Sequence, residues 1–212
     1  MTKPIPKKVK SAQAKGLRGS VRVPGDKSIS HRALMIGGLA VGKTSIEGML
    51  EGEDVLNTAN AMRLLGASID RYSADNGSAI WTVCGRGVGG LIEPDSVLDM
   101  GNSGTGARLL TGLLASHAIT AVITGDESLR QRPMNRVTGP LSSMGASFQS
   151  REGGLLPMLV KGMGDPIPLT YKVPVASAQV KSAILLAGLH ARGETAVIEP
   201  LATRDHTERM LR

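Results

Sequence analysis

Hydrophobic and polar positions along this chain form a long-period phrase that occurs three times. An apolar run of helical character closes on Gly-Leu, a short turn follows, and then comes a stretch rich in Thr, Ile and Val that reads as a strand. The copies close at Gly38-Leu39, Gly112-Leu113 and Gly188-Leu189, intervals of 74 and 76 residues. The pattern predicts helices over 33–40, 109–115 and 183–189, and strands over 44–48 and 194–199. The later half of the unit repeats as well: Leu65-Gly66-Ala67-Ser68-Ile69 returns 79 residues on as Met144-Gly145-Ala146-Ser147-Phe148. Such a period announces a fold built from copies of one unit. Of the third copy the chain holds the first helix, the strand and the opening of a second helix over 204–212, so the sequence reads as truncated inside a repeat.

Composition changes this picture little. A chain of 212 residues with 41% hydrophobic content can bury a substantial core. The formal charge of +7 hints at nucleic acid until it is located. Lys3, Lys7, Lys8, Lys10, Lys15, Arg18 and Arg22 stand in a leader without acids, and removing these seven from the 25 basic residues leaves 18 against 18 acidic ones. The body is neutral and the leader reads as a solvated tail. Tyr72, Trp81, Phe148 and Tyr171 are too few and too scattered for a base-stacking platform, so no nucleic-acid partner is expected. No apolar stretch approaches the ~20 residues of a membrane span and the leader lacks the apolar centre of a signal peptide, so a soluble, cytoplasmic protein is expected. The single cysteine, Cys84, reads as a small buried hydrophobe in a strand, and no Cys or His spacing suggests a metal.

Chemistry gathers where each apolar helix begins. The first entrance is Pro24-Gly25-Asp26-Lys27-Ser28-Ile29-Ser30-His31-Arg32, the second Asp99-Met100-Gly101-Asn102-Ser103-Gly104-Thr105-Gly106-Ala107-Arg108, the third Val175-Ala176-Ser177-Ala178-Gln179-Val180-Lys181-Ser182. Serines there can cap a helix, glycines let backbone approach a ligand, and a helix N-terminus favours an anion. A repeat fold tends to bring equivalent ends to one face, which makes a pocket for a multiply anionic small molecule. Arg132 adds a cation in Ser128-Leu129-Arg130-Gln131-Arg132-Pro133-Met134, where Pro133 suits the first turn of a helix. The four histidines show no ligand spacing and take no role.

Gly37-Gly38-Leu39-Ala40-Val41-Gly42-Lys43-Thr44 fits the phosphate-binding pattern G-x-x-x-x-G-K-T, which needs a strand before it and a helix after it. Here the helix comes first and the strand second, and the later copies carry Ser116-His117-Ala118 and Gly193-Glu194-Thr195 at the same place. The segment reads as a helix-to-strand turn, and ATP binding is the observation that would revive the nucleotide reading.

These entrances, with Arg132-Pro133-Met134 and Arg204-Asp205-His206-Thr207-Glu208, resemble the 5-enolpyruvylshikimate-3-phosphate synthase family over about residues 17–212. The Ser-Ala-Gln-Val-Lys-Ser and Arg-Asp-His-Thr-Glu forms look most like the bacterial branch that includes glyphosate-tolerant members. The resemblance implies an α/β enolpyruvyl transferase lobe of βαβαββ repeats, parallel helices inside and sheets outside, with the third repeat incomplete. Residues 1–24 would belong with a second lobe, residues 25–212 would form the substrate-binding lobe, and the C-terminal lobe would be absent. The implied reaction transfers the enolpyruvyl group of phosphoenolpyruvate to the 5-hydroxyl of shikimate 3-phosphate, in the shikimate pathway, by a monomer that needs no metal or other cofactor.

By similarity Lys27 is catalytic and touches both substrates. Ser28, Arg32, Ser177, Ala178, Gln179 and Arg204 would hold shikimate 3-phosphate, while Asn102, Gly104, Arg132 and again Gln179 would line the phosphoenolpyruvate site. Many relatives have Ser where Ala178 stands, so only backbone remains there, and Ser103 stands where Ala is usual. In tolerant relatives a methyl group at the position of Gly104 crowds glyphosate, so this glycine implies a sensitive enzyme. The family's general base lies in the second lobe, so residues 1–212 alone should turn over negligibly. A related enzyme acting on a UDP-amino sugar carries a reactive loop cysteine, which Cys84 in its strand does not match. A non-catalytic ligand-binding module is the alternative from a different class.

Overall fold

The computed structural model describes residues 8–75 and 77–212. Residues 8–24 carry no helix or strand and are exposed. Helix α1 (Lys27–Leu39) then leads through a three-residue turn into β1 (Lys43–Glu47), followed by α2 (Glu53–Leu64), β2 (Ser68–Ser73) and β3 (Ala79–Cys84). The second unit supplies β4 (Leu98–Asp99), α3 (Gly104–Ala115), β5 (Thr120–Thr124), α4 (Asn135–Ser143), β6 (Ser147–Arg151) and β7 (Leu155–Lys161). The third supplies β8 (Thr170–Lys172), α5 (Ala178–Gly188), β9 (Ala196–Ile198) and α6 (His206–Met210). The second unit thus reads βαβαββ in full.

Each unit has its own sheet. The first is β1-β3-β2, antiparallel throughout, and the second is β4-β5-β7-β6, in which only β4 and β5 run parallel. In the third, β8 pairs parallel with β9, Tyr171 opposite Val197. Pairing of the strand before a helix with the strand after it is the parallel crossover that a helix-linked unit requires.

The helices between those strands make the interior. On α3, ten of the twelve residues are buried, Leu109, Leu110, Leu113 and Leu114 completely. One apolar cluster joins the first two units through Leu34, Met35, Val83, Leu109 and Ile123, and a second joins the last two through Val137, Leu141, Val180 and Ile184. Helix α4, by contrast, buries only Val137, Pro140 and Leu141. Gly112 permits the close approach of α3 and α5: a Cβ there would lie 2.3 Å from the Ala183 carbonyl oxygen and 2.8 Å from its Cα. Three inner helices with sheets outside is the arrangement the resemblance implies.

Several local expectations are corrected. The three inner helices begin at Lys27, Gly104 and Ala178, five or six residues before their apolar runs, because their first turns are polar or glycine-rich and are started by the N-caps Asp26, Ser103 and Ser177. Pro133 lies in the turn ahead of α4 and not in its first turn. Cys84 is exposed: it is the last residue of β3, and strand alternation turns it away from the side of buried Val83. The G-x-x-x-x-G-K-T segment, by contrast, is as expected the end of α1 and the turn into β1, in the order helix then strand. Among the described residues no helix is long and apolar enough to cross a membrane.

Candidate functional site

The three inner helices are tied to one another near their N-termini. Between α1 and α3, His31 Nε2 meets Ser103 Oγ at 3.3 Å. Between α3 and α5, Gln179 donates from Nε2 to Thr105 Oγ1 at 2.9 Å and accepts from Arg108 Nη1 at 3.1 Å. Between α1 and α5, Arg32 donates from Nη2 to Ser182 Oγ at 2.6 Å. The first two turns of each helix meet those of its neighbours, so the helices run parallel and their positive ends share one face.

The ends are not equivalent. On α1 the cap is a carboxylate: Asp26 Oδ1 accepts the Ile29 N–H at 2.8 Å, and the serines expected to cap do other work. Ser30 Oγ donates to the Asp26 carbonyl at 2.8 Å and accepts the Leu50 N–H at 3.0 Å. On α3 and α5 the caps are neutral, Ser103 Oγ on the Gly106 N–H at 3.0 Å and Ser177 Oγ on the Val180 N–H at 3.4 Å.

Two concavities open on this face. One of about 520 Å³ is lined by Ala176, Ser177, Ala178, Gln179, Thr203 and Arg204. It unites four of the residues expected to hold shikimate 3-phosphate, and Arg204 is exposed there without a hydrogen bond or ion pair among the described residues. The other, about 230 Å³, is lined by Lys27, Glu53, Asp54, Gly101, Asn102 and Asp126. It brings Lys27 to Asn102, two residues expected at the phosphoenolpyruvate site. A further concavity of about 370 Å³ between α4 and the β6–β7 hairpin, lined by Asn135, Thr138, Ser142, Phe148 and Ser150 among others, carries no charged side chain.

Lys27, half-exposed on the first turn of α1, forms an ion pair with Asp54 Oδ2 at the start of α2. Burial pushes the Asp54 carboxyl up, but the hydrogen bond and charge of Lys27 outweigh it and hold the group below the ordinary range. His31 stands one turn further along α1, completely buried, with Nδ1 2.8 Å from Thr58 Oγ1. Desolvation lowers its pKa to about 4 against the raising effect of Asp54, so the ring is neutral.

Arg132 and Arg108 flank the start of α3. Arg132 donates from Nη2 to Asn102 Oδ1 and to Ser128 Oγ, both at 2.9 Å. Asn102 in turn donates to Asp126 Oδ2 at 2.8 Å. The Asp126 carboxyl is held below its usual range, first by the Leu129 N–H that Oδ1 accepts and then by Asn102 and Arg132. Burial lowers the Arg108 pKa, and the charges of Arg132 and Arg136 lower it further. Gly104 sits between the two: a Cβ there would be 3.0 Å from Arg108 Nη1 and 3.1 Å from Arg132 Nη1. Gly101 is required twice over, by φ +52° and because a Cβ would fall 2.4 Å from Asn57 Nδ2.

Ser28 is half-buried, and its carbonyl accepts from Arg32 Nη1 at 2.9 Å. Arg32, expected to hold substrate, is 3% exposed and also donates from Nε to Thr207 Oγ1 at 2.7 Å and from Nη2 to Ser182 Oγ. Sequence reasoning missed Asp54, His31, Arg108 and the pairing of buried Lys181 with Glu199 and Glu208. His31 had a signal, since four residues after Lys27 places it on the same helix face.

Against this geometry stand the comparisons. A sequence model of the family described as EPSP synthase (3-phosphoshikimate 1-carboxyvinyltransferase) matches residues 11–212. The chain is 65% identical over 212 residues to the 3-phosphoshikimate 1-carboxyvinyltransferase of Rhodospirillum rubrum, covering 100% of this chain and 47% of that protein. It is 64% identical over 202 residues to that of Gluconobacter oxydans, covering 95% and 45%. The solved EPSP synthase from Acinetobacter baumannii superimposes with a TM-score of 0.84 at 52% identity, covering 91% of this chain and 43% of that one. The chain therefore spans about half the length of the relatives it matches.

Proposed function

The chain belongs to the EPSP synthase (3-phosphoshikimate 1-carboxyvinyltransferase) family, and from that premise we propose that residues 25–212 are the lobe of such an enzyme that takes up shikimate 3-phosphate and forms one wall of the phosphoenolpyruvate site. One observation carries this reading. The neutrally capped N-termini of α3 and α5 lie side by side, joined through Gln179, with Arg204 on one side and Arg108 and Arg132 on the other. None of these three arginines forms an ion pair with a carboxylate among the described residues. Two separate cationic places at two helix ends suit two anionic ligands.

In this reading shikimate 3-phosphate occupies the larger concavity, its phosphate at Arg204 and its polar ring groups at Ser177, Gln179 and the Ala178 backbone, with Ser28 and Arg32 beneath. Phosphoenolpyruvate lies toward Asn102, Gly104 and Arg132, and Lys27 stands between the two ligands. The reaction protonates C3 of phosphoenolpyruvate while the 5-hydroxyl, giving its proton to a base, attacks C2. The tetrahedral intermediate then expels phosphate, and the proton lost from C3 restores the double bond. Placement of the anions and neutralisation of their charge carry the catalysis on this side of the cleft.

Asp54 and Asp126 are poor candidates for the base, since both carboxyls are held below the ordinary range by their partners, away from the pH at which a base works best. Residues 1–212 by themselves are therefore expected to release negligible phosphate from the two substrates, and robust release would overturn this assignment. We assign residues 1–24 to the other lobe, residues 8–24 being exposed and without a strand. We place the protein in the cytoplasm as a monomer without nucleic-acid partners, consistent with a body neutral beyond its leader.

The test is a calorimetric titration of the chain with shikimate 3-phosphate, with ATP for comparison and Lys27→Ala as control. Binding of shikimate 3-phosphate that weakens with Lys27→Ala supports the reading. Binding of ATP alone, or no binding by folded protein, defeats it.

A further inference from the structure

Lys181 points away from the ligand face and into the protein. It is 4% exposed, yet it is charged, with Nζ 2.6 Å from Glu199 Oε2 and 2.6 Å from Glu208 Oε1. The two carboxylates bracket one segment. Glu199 follows β9 directly and Glu208 lies in α6, so a single lysine of α5 grips both ends of residues 199–208. Within the segment Thr203 Oγ1 donates to Glu199 Oε1. Thr207, fully buried, accepts from Arg32 Nε at 2.7 Å and donates to Ser182 Oγ at 2.8 Å. Arg204 lies exposed between these two anchored threonines, next to Thr203, and lines the concavity of Ser177 and Gln179.

Stability alone is a weak account of this cluster. A buried cation between two half-buried carboxylates carries desolvation that a well-packed apolar trio would avoid. Glu208 Oε2 is buried without a hydrogen-bond partner, a further cost. What three charged groups supply, and apolar packing does not, is a directional geometry that holds one backbone arrangement. Burial lowers the Lys181 pKa, but the two carboxylates outweigh it and raise it, and Lys181 likewise holds Glu199 down against burial. Lys181 and Glu199 are thus both ionised at neutral pH. The groups facing the cluster are Arg32 from α1, which feels both Arg204 and Glu208, and Arg204 itself.

We propose that Lys181, with Glu199 and Glu208, is a positioning residue that fixes the 199–208 segment so that Arg204 presents its guanidinium to the phosphate of the ligand. It acts through Arg204 and touches no ligand. The inference rests on the shikimate 3-phosphate reading above and assigns the geometry behind its phosphate-binding end.

The experiment measures the dissociation constant of shikimate 3-phosphate by calorimetry for wild type, Glu208→Gln, Arg204→Gln and the double variant, with Lys181→Arg as the conservative rescue and Lys181→Met as the full loss. Glu208→Gln keeps an acceptor for Lys181 and one ion pair, so it folds even where Lys181→Met does not. Glu208→Gln is expected to weaken binding about fivefold when Arg204 is present and to have no further effect in the Arg204→Gln background. Lys181→Arg should bind more tightly than Lys181→Met where both fold. Equal losses with and without Arg204 would mean a general structural role and overturn the inference, as would unchanged affinity in folded Glu208→Gln. Failure of wild type to bind at all would instead strike the substrate reading, and this inference with it.

Discussion

Replacing the repeated glycine by alanine should have three different effects at its three occurrences, with Gly112→Ala the most damaging at a net loss of about 2 kcal/mol. In a helix interior the change is favourable by about 1 kcal/mol from propensity alone. Against that stands what the new methyl meets. At Gly112 it meets backbone, the Ala183 carbonyl oxygen at 2.3 Å, its Cα at 2.8 Å and its carbonyl carbon at 2.9 Å, so α3 and α5 must separate. Overpacking of that kind reaches about 3 kcal/mol, which leaves the net of about 2. At Gly38 the methyl meets the Met62 Cε at 2.4 Å and the Ala67 Cβ at 3.7 Å. A methionine tip can swing aside, so gain and cost roughly cancel there. At Gly188 it meets Cβ, Cγ2 and Oγ1 of Thr195 at 2.7 to 3.0 Å, a stiff β-branched neighbour, and the site is the last residue of α5, where propensity helps least. The order of loss is Gly112, then Gly188, then Gly38. Urea unfolding of the three variants reads it directly, with a midpoint drop of about 1 M for Gly112→Ala if the slope is about 2 kcal/mol/M and unchanged. A Gly112→Ala chain as stable as the parent would refute the claim that this glycine sets the helix spacing.

Three further outcomes follow from the site and its surroundings. His31 is neutral when folded with a pKa of about 4, so its contribution is present above pH 6.5 and is lost as pH falls from there toward 4, a change of roughly 3 kcal/mol that His31→Gln should largely abolish in unfolding experiments across that window. His117, also lowered chiefly by burial, adds loss in the same direction and is the background against which the variant is compared. In the complete enzyme Gly104→Ala pushes on Arg108 and Arg132 and is expected to raise the KM for phosphoenolpyruvate about tenfold, with shikimate 3-phosphate binding little changed, while the parent with Gly104 is inhibited by glyphosate; full activity under glyphosate far above the phosphoenolpyruvate level would contradict the open space assigned there. Cys84, exposed at the end of β3, should react with a thiol reagent in the folded chain, and protection comparable to a core cysteine would contradict its placement.

The period of the chain was visible in its letters because Gly-Leu, the polar turn and the Thr-Ile-Val strand recur at every copy, and each recurrence has one physical cause: an inner helix ending against a sheet. The entrances were visible as motifs. Their conformations were not. Hydrophobic pattern marks only the turns of a helix that reach the core, so the polar first turns of α1, α3 and α5 read as loops. Lys27 was legible as a cation at a helix start, but its partner Asp54 lies 27 positions away on α2, and nothing local announces that pairing. Arg32 was legible as a cation at the first entrance, but its burial against α6 through Thr207 was not. Lys181 and Glu199 are separated by a helix end, a turn and a strand, so only the closed fold brings them to 2.6 Å.

The repeat explains why three helix N-termini share a face, and departures from the repeat decide what each can do there. A carboxylate cap at Asp26 already answers the positive end of α1, so that helix offers its side chain Lys27 to the site more than its backbone N–H groups. Ser103 and Ser177 are neutral, which leaves the ends of α3 and α5 open to anions, and these are the helices flanked by Arg132, Arg108 and Arg204. The groups beneath the face follow the same division. Asp54 and His31 stand beneath the α1 entrance, whereas Lys181 and its two glutamates stand beneath the α5 entrance, so each side of the face is held by groups the other lacks. Symmetry of the fold therefore supplies the convergence, and asymmetry of the capping and of the buried charges supplies two distinguishable anion sites rather than three equal ones.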